Sequence, residues 1–174
     1  MDLIVSVDEN WGIGNHGRLL VKISADLKRF RKMTTGNIIV MGRKTLESFP
    51  DGKPLPNRVN IVMTHKQDYT CEGVIVCHNI QEVLKQIAKD VKKYVFIVGG
   101  SSIYEQFLPY CERAYVTKVY QTFIADTYIK NLDKDYHWKL IEQQPMQEEN
   151  GMKYAFLTYE NQQYQQNAVK KKIV

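Results

Sequence analysis

The sequence lacks any long apolar run. No stretch of 18 or more apolar residues occurs among its 174 residues, so it predicts no membrane-spanning helix. The first residues, Met-Asp-Leu-Ile-Val-Ser-Val, carry an acid where a secretion signal carries basic residues, and their apolar run is too short for one. We therefore expect a cytoplasmic protein without a membrane partner.

Cysteine is also scarce. The three cysteines, Cys71, Cys77 and Cys111, are odd in number and lack C-x-x-C spacing. That pattern predicts neither a disulfide framework nor a zinc site, and we expect no metal. A reducing cytoplasm fits such a composition.

Acidic residues are fewer than basic ones: the sequence has 19 aspartates and glutamates and 24 lysines and arginines, which gives a net charge of +5. A positive field favours anionic ligands. The cations are scattered, however, and the one concentrated run, Lys170-Lys171-Lys172, is typical of a solvated tail. We therefore expect a small anionic ligand and no nucleic acid as partner.

Apolar runs and helical patterns alternate along the chain. Strands are predicted at residues 3–7, 38–41, 59–64, 74–77, 95–98, 114–120, 137–143 and 154–159, and helices at residues 25–33, 44–48, 81–90 and 102–107. This alternation predicts an α/β fold with a mostly parallel central sheet of about eight strands flanked by helices.

The end of the chain departs from that alternation. The last three predicted strands follow one another without a helix, and Asn150-Gly151 between the final two is a hairpin signal. We therefore expect an antiparallel hairpin at the C-terminal edge of the sheet. The length predicts a single domain over residues 1–160, followed by a polar and basic tail over residues 161–174.

One turn carries the strongest functional signal. The strand at residues 95–98 leads into Gly99, Gly100, Ser101 and Ser102, and a helical pattern follows. Glycine lets the backbone approach a ligand closely, and the free N–H groups at a helix start bind anions. The turn predicts a phosphate cradle for a nucleotide cofactor, although a turn of small packing residues is the alternative.

Two further strands end in residues that suit phosphate. The strand at residues 38–41 is followed by Gly42-Arg43-Lys44-Thr45, and Thr64 at the end of the next strand is followed by His65 and Lys66. Because parallel strands end at one edge of a sheet, the three clusters together favour a dinucleotide. Ordinary surface cations remain the alternative for each cluster alone.

Glycines also punctuate the segment after the first strand. Gly12, Gly14 and Gly17 match G-x-G-x-x-G, the dinucleotide-binding fingerprint, but no helix opens at Gly17. We interpret residues 9–23 as a mobile lid over a site. A surface loop without function is the competing interpretation.

Asp26 is an acid on an otherwise apolar helix face. Ser24 is predicted as the N-cap of this helix, and Asp26 shares a face with Leu27, Phe30 and Met33. The simple explanation is that Asp26 stabilises the helix start through the dipole. A carboxylate among apolar neighbours also has a raised pKa and is suited to holding a cationic or amidine-like ring.

Arg58 stands directly before the strand at residues 59–64. Its planar fork suits a carboxylate ligand, although such an arginine is often a plain surface residue. The position therefore indicates a candidate anion contact only.

Taken in order, these motifs resemble the dihydrofolate reductase family over about residues 1–160. The matching segments are residues 3–8, 13–14, 25–30, 40–48, 54–60, 98–104 and 126–127. Each motif alone is modestly specific, whereas the ordered set is highly specific.

The resemblance implies NADPH-dependent reduction of 7,8-dihydrofolate to tetrahydrofolate, with dihydrofolate and antifolate inhibitors as small-molecule partners and a monomeric enzyme. It implies that Asp26 holds the pterin and promotes protonation at N5, that Thr117 supports Asp26 by a hydrogen bond, and that Leu19 is the third catalytic residue. The substrate-binding residues that it implies are Val5, Asp26, Leu27, Phe30, Phe49, Leu55, Arg58, Val98 and Thr117.

For the cofactor, the resemblance implies contacts to the nicotinamide, the pyrophosphate and the 2′-phosphate, the last from Thr64, His65 and Lys66. The whole implied set is Ser6, Ile13, Gly14, Gly42, Arg43, Lys44, Thr45, Thr64, His65, Lys66, Val98, Gly99, Gly100, Ser101, Ser102, Ile103 and Tyr104. A 2′-phosphate site favours NADPH over NADH.

One departure from the family pattern concerns the end of the lid. Leu20-Val21 stands where the family commonly has Pro-Trp, so the indole N–H that orders a water near the substrate is missing. Two alternatives stay open at this stage: a reductase of the same architecture acting on a pyrimidine ribitol-type compound, and a noncatalytic binder of nucleotides or nucleic acid.

Overall fold

A computed structural model describes residues 1–164. The predicted tail therefore lies outside the described residues from position 165 onward. Within the described part, no helix has both the length and the apolar character that crossing a bilayer requires.

The described residues form twelve strands and four α-helices. The strands are β1 Asp2–Val7, β2 Gly12–Asn15, β3 Arg18–Leu19, β4 Ile38–Gly42, β5 Val59–Met63, β6 Val74–Cys77, β7 Val95–Gly99, β8 Arg113–Val119, β9 Thr127–Tyr128, β10 Trp138–Gln143, β11 Gln147–Glu149 and β12 Met152–Asn161. The helices are α1 Ser24–Thr34, α2 Arg43–Glu47, α3 Ile80–Ile87 and α4 Ser101–Phe107. Short 3₁₀ turns lie at Pro50–Gly52, Leu108–Tyr110 and Leu132–Lys134.

Nine strands form the main sheet: eight follow the order β10-β12-β8-β1-β7-β4-β5-β6, and the short β11 pairs with β12 beside that path. The strands from β8 to β6 pair in parallel, whereas β12 pairs antiparallel with both β8 and β10. The predicted α/β class with a mostly parallel sheet is confirmed. Its parallel strands are continuous apolar runs because helices cover both faces.

The predicted hairpin joins different strands from those expected. Asn150 and Gly151 connect β12 to β11, a short strand that the sequence pattern did not reveal. Both residues have positive φ, 54° and 76°, as a tight two-residue hairpin turn requires. Because β12 runs between β8 and β10, β10 is the edge strand on the antiparallel side of the main sheet.

The lid segment has regular structure of its own. Strands β2, β3 and β9 form a separate three-stranded antiparallel sheet. The sequence pattern predicted none of these three strands. Pairing with β9 satisfies backbone groups in a part of the chain whose glycines suggested only a loop.

Two apolar layers cover the main sheet. One contains α3 and α4 and surrounds Val5, Val40 and Ile97, all at or below 6% exposure. The other contains α1 and α2 and surrounds Ile4, Met41 and further core residues. Alternate residues of each strand point to opposite faces, so neighbouring residues of β1 serve different layers.

Asp8 joins the start of the lid to the core. Its buried carboxylate accepts hydrogen bonds at Oδ1 from the N–H groups of Asn10 (2.9 Å) and Gly12 (2.8 Å), and at Oδ2 from the N–H of Phe123 (3.1 Å). A buried carboxylate is tolerated when donors surround it in this way. The lid, the end of β1 and the segment before β9 therefore share one anchor.

We expect Asp8→Ala to destabilise the protein by about 2–4 kcal/mol, because the substitution strips acceptors from three backbone donors. Chemical denaturation measures this change in the free energy of unfolding. Asp68→Ala, at an exposed position, is the control and should change it by less than about 0.5 kcal/mol. Equal stability of the two variants would contradict the anchor.

Candidate active site

The three predicted phosphate-binding clusters lie along one edge of the main sheet. Strands β7, β4 and β5 are adjacent and parallel, so their carboxyl ends lie side by side. Gly99 ends β7, Gly42 ends β4, and Thr64 directly follows β5. In open α/β sheets, ligands bind outside the carboxyl ends of the strands. This edge is therefore the candidate site.

The turn from β7 into α4 requires glycine. Gly99 has a φ of +105°, and a Cβ there would lie 2.9 Å from Cε2 of Tyr104. The next peptide bond, to Gly100, is cis. A Cβ on Gly100 would lie 3.5 Å from Oγ1 of Thr45, so the end of β7 and the start of α2 face each other. The space between them is an open backbone cradle that side chains would fill.

Cations and hydroxyls surround this cradle. Lys44, His65 and Lys66 are exposed, and the Arg43 guanidinium forms an ion pair with Glu47 at 2.6 Å. Thr64 Oγ1 accepts a hydrogen bond from the N–H of Lys66 at 3.2 Å, which orders the turn after β5. Exposed cations beside glycine backbone form a suitable environment for a dinucleotide with several phosphates.

Two residues implied as cofactor contacts support the cradle from the core. Ile103 and Tyr104 are buried, and Cγ1 of Ile103 would lie 3.2 Å from a Cβ on Gly42. The Tyr104 hydroxyl donates to the carbonyl of Ile4 at 2.8 Å, and burial raises the pKa of this phenol far above its usual value. Their side chains therefore hold α4 against β1 and β4.

Asp26 lies in the first turn of α1 and faces the sheet. The Thr117 hydroxyl on β8 donates to Asp26 Oδ1 at 2.6 Å. Burial raises the pKa of Asp26, while the Thr117 hydrogen bond and the charge of Arg29 oppose that rise. The sequence-predicted pair of Asp26 and Thr117 is thus brought into direct contact.

The predicted cap of this helix is wrong. The helix begins at Ser24 itself, Ile23 occupies the N-cap position, and no side chain caps from there. The Ser24 N–H instead donates to Oε1 of Glu149, on β11, at 2.8 Å. A carboxylate from a distant strand therefore satisfies the helix start, which a local reading of the sequence could not reveal.

An apolar wall extends from Asp26 along the same face of the sheet. Phe30, Phe49, Leu55 and Val98 pack in one layer, and Leu27 is 46% exposed beside them. The side chain of Val5 belongs to the opposite layer. Val5 can therefore contribute to a site on the Asp26 face only through its backbone.

Arg58 lies at the far end of this wall and is held in position. Its Nε donates to Oγ1 of Thr34 at 2.8 Å, and its Nη1 donates to the carbonyl of Pro56 at 2.6 Å. Its guanidinium carbon lies 6.0 Å from the centre of the Phe30 ring. An arginine fixed in this way is preorganised for an anion at the end of an apolar cleft.

The lid contributes a smaller pocket above the end of β1. Ser6, Ile13 and Leu19 line it together with Leu20 and Val21. Gly14 lies beside it, where a Cβ would stand 3.0 Å from the Arg18 carbonyl. A separate open cavity of about 840 Å³ lies between α4 and the segment after β9, and of the predicted site residues it contains only Ser101.

Sequence reasoning missed two residues that bear on the site. Asp8 anchors the lid, and Arg29 lies one helical turn after Asp26. The i,i+3 spacing of Asp26 and Arg29 was visible in the sequence and indicates neighbouring side chains on a helix. Nothing local indicated that Arg29 turns toward the sheet.

Comparison with known proteins identifies one set of relatives. The family model for dihydrofolate reductase matches residues 1–161. The dihydrofolate reductase of Bacillus subtilis (strain 168) is 38% identical over 162 residues, covering 92% of this chain and 94% of that protein. The Drosophila melanogaster enzyme is 36% identical, covering 89% and 94%.

A solved structure agrees with these relatives. The Enterococcus faecalis dihydrofolate reductase, complexed with NADP(H) and RAB-propyl, superimposes with a TM-score of 0.80. It is 32% identical, and the match covers 92% of this chain and 95% of that one. The structural similarity therefore extends over most of both chains.

We expect Gly99→Ala to destabilise the protein by about 2–4 kcal/mol, because the new methyl group meets the Tyr104 ring and the backbone has positive φ. Gly36→Ala is the matched control, since its φ is +83° but nothing lies within 4 Å of the added Cβ. The free energy of unfolding of Gly36→Ala should fall by only about 1 kcal/mol in the same denaturation experiment. Equal losses would contradict the steric role of Tyr104.

Proposed function

The chain belongs to the dihydrofolate reductase family, and we propose that Asp26, held by Thr117, is the catalytic carboxylate of its active site. The enzyme reduces 7,8-dihydrofolate to 5,6,7,8-tetrahydrofolate with NADPH. The observation that carries the assignment of Asp26 is a half-buried carboxylate on an apolar cleft, with one oxygen hydrogen-bonded and the other without a partner among the described residues.

The cradle at the sheet edge fits the cofactor. Gly99 and Gly100 leave open the space that a Cβ would fill, and Arg43, Lys44 and Thr45 lie across from them. We assign the pyrophosphate to this cradle and the 2′-phosphate to Thr64, His65 and Lys66. When bound, NADPH supplies the hydride, so the protein provides orientation, electrostatics and exclusion of water.

Asp26 orients and polarises the substrate. Thr117 donates to Oδ1, which fixes the plane of the carboxylate and leaves Oδ2 to accept from the amino and ring N–H groups of the pterin. An ionised carboxylate in apolar surroundings favours a positive charge on the ring. Its field therefore promotes protonation at N5, the proton that the reduced ring must gain.

The rest of the substrate follows the apolar wall. Phe30, Phe49 and Leu55 line the path from Asp26 to Arg58 and suit the aminobenzoyl group. Arg58 would bind the α-carboxylate, because its Nε and Nη1 contacts hold the guanidinium ready for an anion. Leu27 is exposed beside this path and would gain cover from the bound substrate.

The lid closes the other end of the cleft. Ser6, Ile13, Gly14 and Leu19 border the position assigned to the nicotinamide, and closure there would keep water from the reacting atoms. Leu20 and Val21 supply only apolar surface where an indole N–H is common in the family. Any water that orders the pterin must therefore take its hydrogen bonds from other groups.

We also propose that the enzyme acts as a monomer in a reducing cytoplasm and that antifolates occupy the same cleft. One chain supplies every residue assigned to the site. Its cysteines are free, and Cys77 and Cys111 are buried, as suits a compartment that keeps thiols reduced.

Asp26→Asn should lower turnover of dihydrofolate by about 10²-fold or more at neutral pH, because the neutral amide no longer favours the protonated ring. Loss of NADPH absorbance measures the rate. Activity should recover partly in acid, where the substrate itself carries the proton. Asp68→Asn is the exposed control, and a neutral-pH rate for Asp26→Asn close to that of the control would refute the assignment.

Arg58→Leu should weaken dihydrofolate binding by about 10²-fold, the effect of losing a bidentate, charge-assisted contact. NADPH affinity should stay unchanged, since Arg58 directly precedes β5 and therefore lies at the opposite end of that strand from Thr64 and the phosphate-binding edge. Separate titrations of the two ligands, followed by fluorescence, give both constants. Equal weakening of both ligands would argue against this position for the substrate carboxylate.

A further inference from the structure

Arg29 lies between the catalytic helix and the sheet. Its guanidinium carbon is 4.5 Å from the centre of the Phe156 ring and 5.6 Å from that of Tyr115. Phe156 on β12 pairs directly with Thr117 on β8, the residue that donates to Asp26. The guanidinium therefore rests on the strand neighbour of the hydrogen-bond partner of Asp26.

No acidic side chain in the described part of the chain neutralises the charge of Arg29 through a direct ion pair. Its Nη1 is buried without a hydrogen bond in the described part of the chain. Over the same residues, Arg29 forms no ion pair with an acid within 4 Å. Burial lowers the pKa of Arg29, and the charge of Asp26 is the largest influence that opposes this. A guanidinium nevertheless keeps its proton in proteins, so a permanent positive charge lies one helical turn after Asp26 on α1.

We propose that Arg29 is a positioning residue for the reduction, whose positive charge keeps Asp26 ionised in the pH range where the enzyme works. The inference deepens the proposed function, because it rests on Asp26 as the catalytic carboxylate. Its mechanism is electrostatic and acts through Asp26 rather than through the substrate.

Among the titratable groups that influence Asp26 in the described structure, Arg29 is the one that carries a positive charge. The other titratable groups near Asp26 are Tyr104 from α4 and Tyr154 from β12, and burial raises the pKa of both phenols, so they stay neutral at neutral pH. Tyr115 on β8 and Glu142 on β10 face Arg29 and influence it less than Asp26 does. Among the described residues, Arg29 is the cation whose charge lowers the pKa of Asp26.

The expected size follows from helix geometry. Side chains at i and i+3 have Cβ atoms about 5–6 Å apart. Opposite unit charges about 6 Å apart shift each other's titration by about 0.5–2 pH units, for effective dielectric constants between about 80 and 20. Removing the charge of Arg29 should raise the pKa of Asp26, which moves the acid limb of the pH–rate profile to higher pH. The alkaline limb should also move to higher pH, because the lost cation opposed protonation of the pterin.

The decisive experiment titrates Asp26 directly in the free protein. The ¹³C resonance of its side-chain carboxyl is assigned by its loss in Asp26→Asn and followed from about pH 3 to pH 9. Arg29→Gln and Arg29→Met should raise the pKa of Asp26 by about 0.5 or more, while Arg29→Lys should stay within about 0.3 of the wild type. Methionine packs well against an aromatic ring, so Arg29→Met serves if the glutamine variant does not fold.

Lys28→Gln is the matched control, because it removes one positive charge from the adjacent, exposed position of the same helix. Its Asp26 pKa should stay within about 0.2 of the wild type. An unchanged pKa in folded Arg29→Gln or Arg29→Met would overturn the proposal, and so would an equal rise in Lys28→Gln.

The experiment separates this inference from the proposed function. Full turnover by Asp26→Asn would refute the catalytic role of Asp26, and a positioning role for Arg29 would fall with it, even if its charge still shifted the titration. If Asp26→Asn is inactive but the pKa of Asp26 is unchanged in Arg29→Met, the catalytic role of Asp26 stands and the positioning role of Arg29 is refuted.

Discussion

The hydrogen bond from Thr117 to Asp26 is the interaction on which the site depends. At 2.6 Å it joins the first turn of α1 to β8, across 91 residues of sequence. A carboxylate on an apolar face is stable only when such donors satisfy it. The bond therefore stabilises a position that packing alone would oppose, and it leaves the other oxygen without a partner among the described residues.

The charge state of Asp26 reflects a balance of opposing effects. Burial favours the protonated acid, whereas Thr117 and Arg29 favour the carboxylate. Arg29 in turn rests on Phe156 without an ion-pair partner of its own in the described structure. Under the proposal made above, the carboxylate assigned to catalysis would be adjusted partly by a residue that is not assigned to the substrate.

The parallel sheet brings together, from distant segments of the chain, the residues that are predicted to bind phosphate. Strands β7, β4 and β5 end at one edge, so Gly99, Gly42 and Thr64 become neighbours there. The sequence permitted this prediction because each cluster directly follows an apolar run, and parallel strands share the direction of their ends. The roles of the individual residues in that edge stay predictions.

The sequence by itself determined most strands and helices, the glycine turn at Gly99 and the family, because these depend on residues near each other in the chain. Only the tertiary structure decided how Glu149 satisfies the start of α1, how Asp8 holds the lid, and where Arg29 points. The contacts of Ser24 with Glu149, of Asp8 with Phe123 and of Arg29 with Phe156 each join residues more than 100 positions apart. Local periodicity reports the conformation and burial of a segment, but it carries no information about which distant polar group will meet it.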